Sequence, residues 1–185
     1  MTGSMNVFDL RSRRDQATRL PFRFHKRRKD SALDSPVSAI DLFCGAGGLT
    51  HGLRQAGIRV EAGIDVDDQV EYAYKKNNPR TEFLCWNLAR KNYNSIEKLF
   101  KPDRLRLLAG CAPCQPFSRL TSGTKKHNAW DLLDNFGRFV TRIIPELVTM
   151  ENVPELAERG GDVFGRFIRT LARLDYHVDW RIVRC

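Results

Sequence analysis

No apolar run in the 185 residues approaches the roughly 20 that a membrane-spanning helix needs. The N-terminal residues lack the apolar stretch of a secretory signal. Cysteine is sparse and odd in number, five in all. Cys111 and Cys114 form a CxxC pair, but no second pair and no His pair completes a zinc site, so no metal is expected. The thiols read as reduced cysteines of a cytoplasmic protein. The Gly-rich turn at 45–48 is not spaced as GxGxxG, and no Lys-Ser/Thr follows it. That excludes the dinucleotide fingerprint and the phosphate-binding P-loop. Acidic residues are outnumbered: 31 Lys and Arg against 22 Asp and Glu leave a net charge of +9. Such an excess favours a polyanionic partner, with nucleic acid the default.

What is present has the size of one domain. Residues 1–36 read as a basic tail, rich in Arg and Lys between Arg11 and Lys29 and closed by Pro36. Its functional reading is an arm that contacts phosphates; the plain reading is a flexible or loosely docked extension. Residues 37–185 alternate short apolar runs with helical periods. Strands are expected over 37–42, 59–64, 81–85, 104–109, 147–150 and 176–183. Helices are expected over 49–56, 67–76, 95–100, 130–144 and 163–174. The alternation predicts an α/β fold, a doubly wound, mostly parallel sheet with helices on both faces.

Ligands of such sheets bind outside the carboxyl ends of the strands. Asp41 to Gly48, Asp65, Asn87, Cys114 and Glu151 all fall at such ends. The glycines of the first turn let a ligand approach the backbone, and the helix that follows favours negative charge at its start. Asp65 is placed to accept hydrogen bonds from a ribose diol, or else to cap a helix. A nucleoside cofactor without a demand for phosphates fits this pair, and S-adenosylmethionine is one. Cys114 sits in a loop stiffened by Pro113 and Pro116, where an α/β protein puts a nucleophile. Cys44, Cys85, Cys111 and Cys185 read instead as small buried residues.

Three segments carry a resemblance: Asp41-Leu42-Phe43-Cys44-Gly45-Ala46-Gly47-Gly48, Pro113-Cys114-Gln115-Pro116-Phe117-Ser118 and Glu151-Asn152-Val153-Pro154-Glu155-Leu156. In order and spacing they resemble signature motifs of the cytosine-5 DNA methyltransferases. The resemblance covers residues 38–185. It implies the Rossmann-like fold of S-adenosylmethionine-dependent methyltransferases and methyl transfer to carbon 5 of cytosine, as in restriction–modification systems. By it, Phe43, Cys44, Gly45, Ala46, Gly47, Gly48, Val66 and Pro113 line the cofactor pocket, and Asp65 holds the ribose. Asn87 stands where the family usually has an Asp that accepts from the adenine amino group; a plain turn residue is the alternative.

Carbon 5 of cytosine is a poor nucleophile. A thiolate added to carbon 6 makes it enamine-like, and a proton at ring nitrogen 3 neutralises the developing charge. Cys114 is the candidate thiolate, Glu151 the candidate acid, and Asn152 the residue that braces the loop. A cytosine in duplex DNA must be flipped out of the stack. The polar loop 118–128 is expected to close over it, with Gln115, Ser118, Arg119, Lys125 and Lys126 at the nucleic acid.

The family's further segments, including its target-recognition domain, are not in these residues. The expectation is a sheet truncated at its last strands, with an exposed apolar patch beside residues 176–185 and an edge that seeks a partner. Double-stranded DNA is the expected substrate. A second polypeptide carrying target recognition would complete the enzyme, and the chain alone is expected to be weakly active or silent. Two other readings remain: a non-catalytic remnant that binds S-adenosylmethionine or nucleic acid, and a tRNA cytosine-5 methyltransferase.

Overall fold

The computed structural model describes residues 3–8, 35–90, 92–112, 128–154, 156 and 161–184. Its strands are β1 (Gly3–Phe8), β2 (Val37–Leu42), β3 (Arg59–Asp65), β4 (Glu82–Cys85), β5 (Leu105–Gly110), β6 (Leu147–Asn152) and β7 (Asp179–Arg184). Its helices are α1 (Gly48–Gln55), α2 (Glu71–Asn77), α3 (Tyr93–Glu97), α4 (Asn128–Ile143) and α5 (Gly161–Arg173). The strands form one sheet in the order β4-β3-β2-β5-β6-β1-β7. The first five in that order run parallel.

Residue alternation along the strands sorts the helices onto two faces. Ala39, Val60, Leu107 and Ala109 pack with Leu53 and Leu49 of α1. Ile40, Leu42, Ile64, Leu108, Val148 and Met150 face the other way, against Ile96, Phe136, Phe139, Val140 and Phe167 of α3, α4 and α5. The helical periods supply the matching stripes: Leu133, Phe136, Phe139, Val140 and Ile143 are all buried along one side of α4. Helix α1 stops where Gly57 takes a left-handed φ of 83°. The Ile58 N–H then reaches back to the Leu53 carbonyl at 3.0 Å. At the end of α4, Arg106 of β5 donates to the Ile143 and Ile144 carbonyls at 3.2 and 2.8 Å while paired with Glu146. A cation thus takes the last carbonyls of the helix and ties it to the central sheet.

The N-terminal reading requires one correction. Gly3–Phe8, assigned above to the basic tail, is a strand inside the sheet. It lies antiparallel between β6 and β7, with Met5 opposite Asn152 on one side and Ile182 on the other. The segment Gly-Ser-Met-Asn-Val-Phe alternates polar and apolar residues only over Ser4 to Val7, and Gly3, Ser4 and Asn6 are poor β-formers, so the local signal is too short to announce a strand. What makes it a strand is a pair of neighbours offering backbone hydrogen bonds on both sides. The rest of the basic segment, 9–34, lies outside the described residues. Strand β7 forms the sheet edge, and Trp180 and Ile182 on it are 45% and 51% exposed. No helix among the described residues is long and apolar enough to cross a membrane.

Placement of β1 between two strands predicts slow amide hydrogen exchange at residues 3–8, comparable with β6. Exchange at the rate of an unstructured tail would contradict that placement.

Candidate active site

The carboxyl ends of β2, β3, β5 and β6 share one edge, and the first turn there is built by backbone. The chain leaves β2 through Phe43 at φ 59° and passes Gly45 at φ 49° and Gly47 at φ 86°. Cys44 N–H donates to the Ile64 carbonyl at 3.1 Å, and Gly47 N–H to the Cys44 carbonyl at 2.8 Å. Gly45 N–H donates to Asp65 Oδ2 at 2.9 Å, and Asp67 N–H to Asp65 Oδ1 at 3.0 Å. Each Asp65 oxygen therefore accepts one backbone hydrogen bond and retains a further lone pair. No side chain caps α1. A Cβ added at Gly45 or Gly48 would meet nothing within 4 Å, so open space lies against both. An uncapped helix start beside a half-exposed carboxylate suits a ligand with an anionic group at one end and a diol at the other.

Beneath the turn lies a buried polar chain. Asp41 is fully buried, and its Oδ2 accepts from Thr50 Oγ1 at 2.6 Å. The Thr50 hydroxyl sits 3.1 Å from the Tyr74 hydroxyl of α2. Asp41 Oδ1 has no partner among the described residues. Burial pushes the Asp41 carboxyl up to about 7; the Thr50 hydrogen bonds oppose this, and the charges of Glu151 and Asp65 add to it. Burial likewise raises the thiol of Cys44 and the phenol of Tyr74. Cys44 is buried in the floor of the turn.

The second half of the edge joins β5 to β6. Cys111 N–H donates to the Leu42 carbonyl at 3.3 Å, which ties the exit of β5 to that of β2. Asn152, buried at the end of β6, donates through Nδ2 to the Ala112 carbonyl at 3.0 Å and accepts from Val153 N–H at 2.8 Å. Ala112 lies two residues before Cys114, the candidate nucleophile. Glu151 precedes Asn152 on β6 and is half-buried. Pro113, Cys114, Gln115, Ser118, Arg119, Lys125 and Lys126 lie outside the described residues. The structure thus gathers Phe43 to Gly48, Asp65, Glu151 and Asn152 at one edge. Val66 is 63% exposed next to Asp65. Asn87 is exposed, and its Oδ1 already accepts from Ala89 N–H at 3.0 Å. That is the hydrogen bond of a turn residue, and it leaves one lone pair for any other donor.

Two cysteines depart from the expectation of burial. Cys85 and Cys111 are exposed. Each lies where a strand runs out, Cys85 at the last position of β4 and Cys111 one residue beyond β5. Cys185 is outside the described residues. Among the described residues, no group of His, Cys, Asp and Glu could hold a metal ion. Sequence reasoning missed Thr50, Tyr74, Asn77 and Asn78 as partners of the turn. Their partners lie up to 31 residues away, and no local pattern marks them.

Residues 37–185 match the family model described as C-5 cytosine-specific DNA methylase. The chain belongs to this family. A type II methylase of Herpetosiphon aurantiacus, M.HgiDII, is 43% identical over 149 residues, which are 80% of this chain and 42% of that protein. A tRNA (cytosine(38)-C(5))-methyltransferase of Rattus norvegicus is 28% identical over 64% of this chain and 30% of its own length. Among solved structures, a putative DNA modification methyltransferase encoded within an Escherichia coli prophage superposes with a TM-score of 0.61 at 25% identity. That match covers 74% of this chain and 38% of the other. The chain spans less than half the length of these relatives. The methyl donor of the methylase family is S-adenosylmethionine. The residues present fit it: open glycines, an uncapped helix start for a carboxylate, and Asp65 with lone pairs to spare for a ribose.

The Asp41 carboxyl binds its proton more tightly in the folded chain, at about 7 against an ordinary 3.8. Its contribution to stability is therefore complete below about pH 4 and is lost as pH rises through 7. Over that window the loss is on the order of 4 kcal/mol. Thermal melts of the wild type should fall from pH 5 to pH 8 relative to Asp41→Asn. Parallel melting curves of the two proteins against pH would contradict the buried neutral acid.

Proposed function

We propose that the chain is the catalytic portion of a DNA (cytosine-5-)-methyltransferase of a restriction–modification system. The observation that carries this reading is one sheet edge with two halves. One half is an open Gly-rich turn coupled to Asp65. The other is β6, which ends in Glu151-Asn152 and whose Asn152 holds the Ala112 carbonyl two residues before Cys114. The named relative M.HgiDII, a type II methylase, supports it.

S-adenosylmethionine, when bound, supplies a methyl group on a sulfonium cation. The chain's residues prepare the base. The Cys114 thiolate adds to carbon 6 of a flipped cytosine, forming a C–S bond and pushing the ring electron pair toward carbon 5. Glu151 gives a proton to ring nitrogen 3, which keeps the adduct neutral. Asn152 holds the Ala112 carbonyl, two residues before Cys114. Once carbon 5 carries the methyl group, a base takes the carbon 5 proton, the C–S bond breaks, the ring nitrogen 3 proton returns to Glu151, and the aromatic ring returns with Cys114 as thiolate. Gln115, Ser118, Arg119, Lys125 and Lys126 are read as contacts to the nucleic acid. Double-stranded DNA is the proposed substrate. A second polypeptide bearing target recognition is the proposed partner, and the cytoplasm the proposed compartment.

The tRNA reading has one supporting observation, the tRNA-modifying relative. Transfer of labelled methyl from S-adenosylmethionine, by the chain together with a candidate partner polypeptide, separates the two readings. DNA should accept label and tRNA should not. Cys114→Ser should reduce transfer to background, and Glu151→Gln should lower kcat by about 100-fold or more. Full transfer by Cys114→Ser would refute the mechanism, and label found in tRNA alone would favour the second reading.

A further inference from the structure

Three consecutive residues of the turn are held from one segment, 65–78. Gly45 N–H is taken by Asp65 at 2.9 Å. The Ala46 carbonyl accepts from Asn77 Nδ2 at 3.1 Å, and the Gly47 carbonyl accepts from Asn78 Nδ2 at 3.1 Å. The segment runs from Asp65 through Asp67, which caps the short 3₁₀ turn Asp68–Val70, and then along α2 to the two asparagines. Asn77-Asn78 ends α2, with the Asn78 N–H on the Tyr74 carbonyl at 2.8 Å, but stopping a helix does not require a buried amide such as that of Asn78. Asn78 is fully buried, and its Oδ1 has no partner among the described residues. The fit is interlocked. A Cβ at Gly47 would stand 2.2 Å from Asn78 Nδ2 and 2.8 Å from Tyr74 Cδ2.

A trans peptide points its C=O and its N–H in opposite directions. With the Ala46 carbonyl on Asn77, the Gly47 N–H is turned onto the Cys44 carbonyl. With the Gly47 carbonyl on Asn78, the Gly48 N–H is turned away from α2. It then lies at the uncapped start of α1, where a Cβ on Gly48 would meet nothing within 4 Å. We propose that Asn77 and Asn78 are positioning residues that aim the Gly48 N–H at the carboxylate of the cofactor's amino-acid half. The proposal rests on the reading of this turn as the S-adenosylmethionine site. It divides the segment by function: Asp65 serves the ribose end, and the asparagine pair serves the amino-acid end.

The division is tested with two probes on the full chain. S-adenosylhomocysteine carries both halves of the cofactor; 5′-methylthioadenosine lacks the amino-acid half. Asn78→Ala should weaken S-adenosylhomocysteine by about tenfold, the worth of one hydrogen bond to a charged group, and leave 5′-methylthioadenosine within about twofold. Should Asn78→Ala fail to fold, Asn77→Ala carries the same test with a loss of about threefold, because its side chain is exposed. Equal losses for both probes, or none for either, would overturn the division. Amide exchange across residues 44–50 without ligand reports the clamp itself: it should speed up by about tenfold in Asn78→Ala, or about threefold in Asn77→Ala, and unchanged exchange would overturn it. A wild-type chain that binds neither probe would overturn the cofactor reading, while the exchange measurement still judges the clamp.

Discussion

The hydrogen bond from the Gly45 N–H to the Asp65 carboxylate joins the ends of two neighbouring parallel strands, and the cofactor edge depends on it. Without it the Gly-rich turn and the Asp65 carboxylate would be two separate loop features. With it, each sets the position of the other. The same carboxylate holds the Asp67 N–H, so one side chain fixes both the turn after β2 and the start of the segment that leads into α2. The charge of Asp65 strengthens both hydrogen bonds relative to neutral ones.

The floor of the turn is expensive. Asp41 is buried with one oxygen unpartnered among the described residues, and Phe43 sits at a positive φ that a bulky residue rarely takes. Burial of a neutral acid costs less than burial of a carboxylate, which is why the proton stays on into the neutral range. Unfavourable local choices concentrated beneath a binding turn are the pattern expected where function opposes stability. The remainder of the sheet compensates through the aromatic packing of α4 and α5, where the Phe136 and Phe167 rings meet at 5.7 Å.

Much of this edge was legible in the sequence because its features are local. A short apolar run ending in an acid or a glycine marks the carboxyl end of a strand, and that rule located Asp41 to Gly48, Asp65 and Glu151. The periods of α4 and α5 were legible for the same reason. What stayed hidden depends on distant neighbours. Gly3–Phe8 becomes a strand only because β6 and β7 flank it. Asn77 and Asn78 read as a helix stop, because the carbonyls they hold lie 31 residues upstream. Cys85 and Cys111 were expected to be buried and are not, since burial of a cysteine is set by where its strand ends and not by its residue type.

The two halves of the edge meet through backbone. The Cys111 N–H reaches the Leu42 carbonyl, and Asn152 reaches the Ala112 carbonyl, so the chain at 111–112, two residues before Cys114, is held by both β2 and β6. The Gly-rich turn begins one residue after Leu42, and Glu151 lies one residue before Asn152. The proposed chemistry follows from that adjacency: a donor site, a thiol and an acid served by neighbouring strand ends. The most direct measurement is covalent trapping on DNA containing 5-fluorocytosine, with S-adenosylmethionine and a candidate partner polypeptide supplied, followed by peptide mass mapping. An adduct on Cys114 is the predicted result. An adduct on exposed Cys111 instead, or no adduct under conditions that support methyl transfer, would contradict the account.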